Sequence, residues 1–181
     1  MSPRSQAPLT TEYILLGFAA QGPVHGYDLH KQISTLDGIS SIWHVKQSQL
    51  YALLEKLESM GYLQAEAAPG AISAPRKEYH LTAAGREAFE AWVVSPVPHA
   101  RQMRQEFLAR LYFARLAGPV TALKLIEAQY AAASGWQQEL QTRLTSASSL
   151  ETFQRTVDQY RLSQIDAILK WLDQCKTTAA R

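Results

Sequence analysis

Leu50, Leu53, Leu54 and Leu57 recur at i, i+3, i+4 and i+7, the spacing that lines one face of an α-helix. Four leucines commit that face to a core, because burying each one is worth about 2 kcal/mol. The opposite side, with Ser48, Gln49, Ala52, Lys56 and Ser59, must then face outward. The helix is expected over 46–60, with Gly61 as its stop. Such a helix is held along one flank and free along the other. Its start, Lys46-Gln47-Ser48-Gln49, is polar and slim.

The flanking elements follow from the same reading. Residues 11–21 carry Tyr13, Ile14, Leu15, Leu16 and Phe18 as a wide apolar face, with Thr10 or Thr11 as cap and Gly22-Pro23 as stop. Residues 25–36 space Tyr27, Leu29, Ile33 and Leu36 as a second helix, ended by Gly38. Residues 39–45 connect it to the leucine-striped helix. Tyr62 to Ala67 then reads as a strand and 69–75 as a loop of small residues and proline. Lys77 to Leu81 returns with Glu78 and His80 alternating against Tyr79 and Leu81. Thr82 caps a helix over 83–94, and Ser95-Pro96-Val97-Pro98 interrupts helical structure. The expected organisation is a flexible arm (1–9), a winged helix–turn–helix domain (10–95), a linker (96–100) and a helical domain (101–181). The fold class is mostly α, with one two-stranded β wing.

Three short helices and a ribbon place the third helix in the major groove of DNA, with the ribbon tip on flanking backbone. Lys46, Gln47, Ser48 and Gln49 have the reach and chemistry for this, since glutamine pairs with adenine through two hydrogen bonds. A helix N-terminus also favours phosphate. Tyr51 lies at the edge of the leucine stripe, where its hydroxyl can meet a phosphate oxygen. His44 precedes the helix in the turn, and Lys56 lies on its outer side. Arg76 and Lys77 stand at the wing, where cations supply sequence-independent affinity.

Charge tempers this reading. The net charge is only +2, and residues 1–95 hold seven Lys/Arg against nine Asp/Glu. The remainder holds eleven against seven. The alternative is a helical interaction adaptor whose winged helix does not bind DNA. At 46% apolar and 19% charged residues the chain is globular rather than disordered. No apolar run is long enough for a membrane span, and the polar start lacks the apolar core of a signal peptide. With a single cysteine, Cys175, a cytoplasmic location is expected. The five histidines, including His25, His30, His80 and His99, show no metal-ligand spacing. No phosphate loop, nucleophile elbow or zinc-protease pair marks an enzyme, and no cofactor is implied.

Beyond the prolines the chain reads as helix throughout. Met103, Phe107, Leu111 and Ala114 mark one helix, stopped by Gly118-Pro119. Leu123, Ile126, Tyr130, Ala133, Leu140 and Leu144 mark a long second one, with polar Gln137 in the missing slot. A turn at 145–149 leads to a last helix over 150–176. It carries Phe153, Val157, Tyr160, Ile168 and Trp171 on one stripe, and Leu162, Ile165, Leu169 and Leu172 on its neighbour. These apolar stripes are wider than one domain needs, so Leu123, Ile126, Tyr130, Phe153, Val157, Tyr160, Ile165, Ile168, Leu169 and Leu172 are the expected two-fold dimer contacts.

Five motifs together resemble the PadR family of bacterial regulators. They are His25-Gly26-Tyr27-Asp28-Leu29, the run from Trp43 to Tyr51, the run from Leu54 to Leu63, the run from Arg76 to Arg86, and Trp92. From Arg101 onward, length, helicity and Glu106-Phe107-Leu108 are similar to the longer C-terminal domain of one branch and of related virulence activators. The resemblance implies a winged-helix homodimer on a palindromic operator, acting as a repressor and released in several members by a small aromatic or drug-like molecule. It also implies that Tyr27 and Tyr51 touch the DNA backbone. Tyr13, Trp92 and Tyr112 are the aromatics expected to line an effector site.

Overall fold

The computed structural model describes residues 12–67, 77–146 and 152–179. The arm at 1–9, the caps Thr10 and Thr11, the wing loop at 68–76 with Arg76, and the turn residues 147–151 lie outside the described residues. The elements run α1 (Tyr13–Ala19), β1 (Val24–His25), α2 (Gly26–Thr35), α3 (Ile39–Ile42), α4 (Gln47–Ser59), β2 (Leu63–Ala67), β3 (Lys77–Leu81) and α5 (Ala83–Val94). A 3₁₀ turn at Ala100–Arg104 follows, then α6 (Glu106–Leu116), α7 (Pro119–Ser146) and α8 (Thr152–Ala179). Two compact units result, one ending at Trp92 and one beginning at Val93.

In the first unit the leucine stripe does what its spacing demands. Leu50, Leu54 and Leu57 are fully buried with Leu29, Ile33, Ile39 and Leu63, while Leu53 is half-buried at the edge. At the end of α4 Gly61 adopts φ +74°. The Tyr62 N–H then donates to the Leu57 carbonyl (3.0 Å) and the Gly61 N–H to Glu58 (2.9 Å). This closing motif satisfies the last carbonyls and turns the chain into β2. β2 and β3 pair antiparallel from Leu63↔Leu81 to Ala67↔Lys77.

Among the described residues the sheet has three strands, not the expected two. Val24 and His25 pair with Tyr79 and Glu78 on the other edge of β3. A two-residue strand is too short to show alternation in sequence, and helical spacing alone puts His25 at the start of α2. Thr82 closes the sheet onto α5. Its hydroxyl donates to the Gly61 carbonyl (2.7 Å) and accepts from the Gly85 N–H (3.0 Å), a cap of the expected kind. Gly85 sits so close to the Tyr62 carbonyl that a β-carbon there would lie 2.1 Å from the oxygen.

In the second unit α7 and α8 form an antiparallel hairpin, as cross-links at both ends and the middle require. Gln137 donates to Asp166 (2.7 Å), filling the polar slot of the stripe. Arg143 makes two bonds to the fully buried Asp158 (2.8 and 2.6 Å). The Lys176 ammonium lies 3.7 Å from the Tyr130 ring centre. The expected linker at 96–100 is packed rather than loose. Val97 is fully buried, and its N–H donates to the buried Gln129 side chain (2.7 Å). Among the described residues no helix is long and apolar enough to cross a membrane.

Candidate nucleic-acid interface

α4 is presented by its packing against α2 and β2. Trp43 and Val45 are buried on either side of exposed His44, so the turn into α4 is extended and alternating. The His30 ring nitrogen bonds the Val45 carbonyl (3.0 Å), fixing this turn to α2. Lys46 is the N-cap in extended backbone, and no side chain among the described residues caps the helix. Lys46, Gln47, Ser48 and Gln49 are all exposed. The first-turn amides therefore remain open to an anion.

Two tyrosines flank that start. The Tyr51 ring lies across the beginning of α2 so closely that a β-carbon on Gly26 would meet its Cε1 at 2.5 Å. Gly26 thus leaves the space in which the ring rests, and Tyr27 follows it directly. Tyr27 is 58% and Tyr51 38% exposed. In the sequence Gly26 stands out only as part of a motif. Nothing there shows that its missing side chain seats an aromatic ring twenty-five positions later.

The cations divide. Lys46 is exposed at the N-terminal end of α4. Lys56 turns instead to α1, where its ammonium pairs with Glu12 at 2.7 Å. Lys77 is exposed at the base of the ribbon and pairs with Glu58 (3.1 Å). The Glu58 hydrogen bond, followed by charge interactions including that of Glu58, holds the Lys77 ammonium pKa above its ordinary value. Glu55 is exposed on α4, so this face is mixed in charge rather than broadly cationic.

Histidines that look solitary in sequence meet on the sheet. His25 Nε2 stands 3.5 Å from Glu78, and His80 Nε2 stands 3.1 Å from Glu78 and 3.8 Å from Glu66. Among the described residues no group of three or more His, Cys, Asp or Glu is arranged to hold a metal. Of the expected effector aromatics, Tyr13 and Trp92 stack at 5.4 Å with 12° between planes. Tyr112 belongs to the second unit and packs edge-on to Phe113 at 5.1 Å.

The expected dimer residues also divide. Ile126, Ile165, Leu169 and Leu172 are buried within one chain, and Leu123, Tyr130, Val157 and Ile168 are half-buried. Phe153 and Tyr160 stand 76% and 64% exposed.

A helix pinned by leucines, with its polar start exposed beside a β ribbon, defines a winged helix–turn–helix protein. The family described as transcriptional regulator PadR-like matches residues 15–91, and the virulence activator alpha C-terminal model matches 103–179. The first part of the chain thus carries a PadR-like domain, over residues 15–91. The chain is 26% identical over 102 residues to the negative transcriptional regulator PadR of Bacillus subtilis (strain 168). That match covers 56% of this chain and 55% of the relative, so it spans about half the relative's length. Among solved structures, Bacillus subtilis PadR in complex with operator DNA is similar at TM-score 0.48 and 22% identity, over 96% of this chain and 99% of that chain. A PadR-like transcriptional regulator from Bacillus cereus is similar at TM-score 0.44 and 21% identity, over 98% and 99%.

Proposed function

We propose that this chain is a DNA-binding transcriptional repressor that acts as a homodimer on a palindromic operator. The observation that carries the reading is the exposed run Lys46 to Gln49 at the start of a helix whose Leu50, Leu54 and Leu57 are fully buried. Lys46 and the first-turn amides bind phosphate, Gln47 and Gln49 read base edges, and Tyr27 and Tyr51 fix the register on the backbone. Arg76 and Lys77 reach flanking phosphates from the wing. His44 lies close to the backbone in the turn.

One such head covers only a few base pairs, so two must bind about 34 Å apart. The second unit supplies the pairing. Phe153, Val157 and Tyr160 follow one another at i, i+4 and i+7 on α8, a helix about 42 Å long. Exposed aromatics on such a stripe are covered at low cost by the same stripe of a second copy. A small ligand releases the operator by favouring one spacing of the two heads over the other. The protein then works in the cytoplasm, where the duplex is.

The test is titration of the duplex upstream of its own gene at rising salt. Repressor binding falls steeply, with a slope of about −0.9 per phosphate contacted. Affinity for duplex DNA that is absent, or indifferent to salt, refutes the reading.

A further inference from the structure

The helix assigned to DNA carries two carboxylates beside its tyrosine. Tyr51, Glu55 and Glu58 recur at i, i+4 and i+7 on α4, so they share one side of it. β3 meets that side through Lys77, whose ammonium donates to Glu58 at 3.1 Å. Glu78 and His80 alternate to the other face of the strand. Building on the repressor reading, we propose that Glu58 is a built-in competitor of DNA phosphate, which holds the wing lysine against α4 and so weakens sequence-independent binding.

Charge is the first argument. Lys77 brings one positive charge to the base of the ribbon, and Glu58 cancels it. The Glu58 hydrogen bond is the largest cause of the raised Lys77 pKa, and Glu55 acts in the same direction. A phosphate that reaches this ammonium must displace Glu58 or share the lysine with it. Either way the pair brings no net charge to the duplex, so fewer counterions are released than by a free lysine. Glu55 lies about 6 Å along the helix axis from Tyr51. That is inside the Debye length of about 8–10 Å, so a phosphate at the Tyr51 hydroxyl meets its repulsion as well.

Exposure is the second. Both partners of the Lys77–Glu58 pair are partly exposed, and such a pair shifts an equilibrium by a few-fold at most. The contact therefore restrains Lys77 without locking it away. The charge count of the sequence has the same sense. Residues 1–95 hold seven Lys/Arg against nine Asp/Glu, and two of those acids, Glu55 and Glu58, stand on α4 itself. A helix that enters DNA gains nothing in attraction from carboxylates, but they limit how firmly unrelated duplex is held.

The test compares the parent, Glu58→Gln, Lys77→Gln and the double variant on a duplex of unrelated sequence. Binding is read by fluorescence anisotropy at several salt concentrations. Glu58→Gln should bind about two- to fivefold tighter and steepen the salt slope by about 1. The gain should vanish in the Lys77→Gln background. Lys77→Gln alone should leave the slope nearly unchanged, unlike the loss of a lysine free to meet phosphate.

Parental affinity and slope in Glu58→Gln overturn the proposal. Weaker binding also overturns it, because Glu58 then guides Lys77 to phosphate rather than competing for it. So does a gain that persists without Lys77, which reflects overall charge alone. A parent that binds no duplex even at low salt refutes the repressor reading and this inference with it, whereas a parent that binds without the Glu58→Gln gain overturns this inference only. Should Glu58→Gln lose its helical circular dichroism, Glu55→Gln and Lys77→Gln carry the test. The first is then expected to bind about twofold tighter and the second to spare the slope, and the opposite result in either overturns the proposal.

Discussion

Replacing Gly26 with Ala separates folding from DNA binding, because the new methyl meets the Tyr51 ring first. The added β-carbon would lie 2.5 Å from Tyr51 Cε1 and 3.0 Å from Cζ, with Cδ1 at 3.1 Å completing its three nearest neighbours. Gly26 is the first residue of α2 and has no positive φ, so alanine fits the backbone. That fit alone contributes about 0.4–1 kcal/mol of stability through the unfolded chain. Against it stands the apolar packing given up when the half-exposed ring swings away. About 40 Å² of apolar surface at 25 cal/mol per Å² is about 1 kcal/mol. The two effects nearly cancel, and the melting temperature of G26A should stay within a few degrees of the parent.

Binding has no such compensation. If Tyr51 holds a phosphate as proposed, its displaced hydroxyl gives up a hydrogen bond worth about 1 kcal/mol, or about fivefold in Kd. Tyr51→Phe should lose a similar amount with the ring still seated. In a double-mutant cycle the two losses should therefore not add. The assay is operator binding by fluorescence anisotropy, with thermal unfolding run on the same samples. Parental affinity in G26A, or full additivity with Y51F, refutes the role assigned to the seated ring.

Lys46→Ala should weaken binding across all duplex sequences and reduce the salt slope by about 1, whereas Lys56→Ala should leave that slope alone, because its ammonium is committed to Glu12. Anisotropy titrations at several salt concentrations separate the two. Gly85→Ala drives a β-carbon to 2.1 Å from the Tyr62 backbone oxygen, which no rotamer relieves. It should destabilise the winged helix by about 3 kcal/mol in urea unfolding. Asp158→Asn leaves Arg143 without its carboxylate, but this arginine is 43% exposed and solvent screens it. The expected cost is thus about 2 kcal/mol rather than the 3–5 of a fully buried pair, read by the same method. Burial raises the Cys175 thiol pKa, with Arg115 opposing it. The folded state therefore holds this proton longer, and the associated stability is present below the ordinary thiol range and lost as pH rises through the raised value. Alkylation of the native protein should accordingly begin at higher pH than in urea.

The leucine stripe, the ribbon and the caps at Gly61 and Thr82 were legible because each is a local rule, set by residues within one turn or one strand of each other. What escaped the sequence depends on partners far along the chain. Lys56 looks free on its helix, and only the approach of α1 brings Glu12 to it across forty-four positions. Val24-His25 is too short to carry a periodic signal, so the third strand emerges only when the edge of β3 offers unpaired backbone groups.

The sheet shows why that edge is worth occupying. Glu66 and Glu78 are direct cross-strand partners in the β2–β3 register, an arrangement in which like charges repel. His80 stands within 3.8 Å of both carboxylates, and β1 carries His25 to within 3.5 Å of Glu78 from the other side. The short strand therefore does two things at once. It covers an open edge, and it delivers a second imidazole to a carboxylate pair that the ribbon alone would leave in conflict. A wing built this way holds its register as far as Lys77, the last paired residue of the described ribbon.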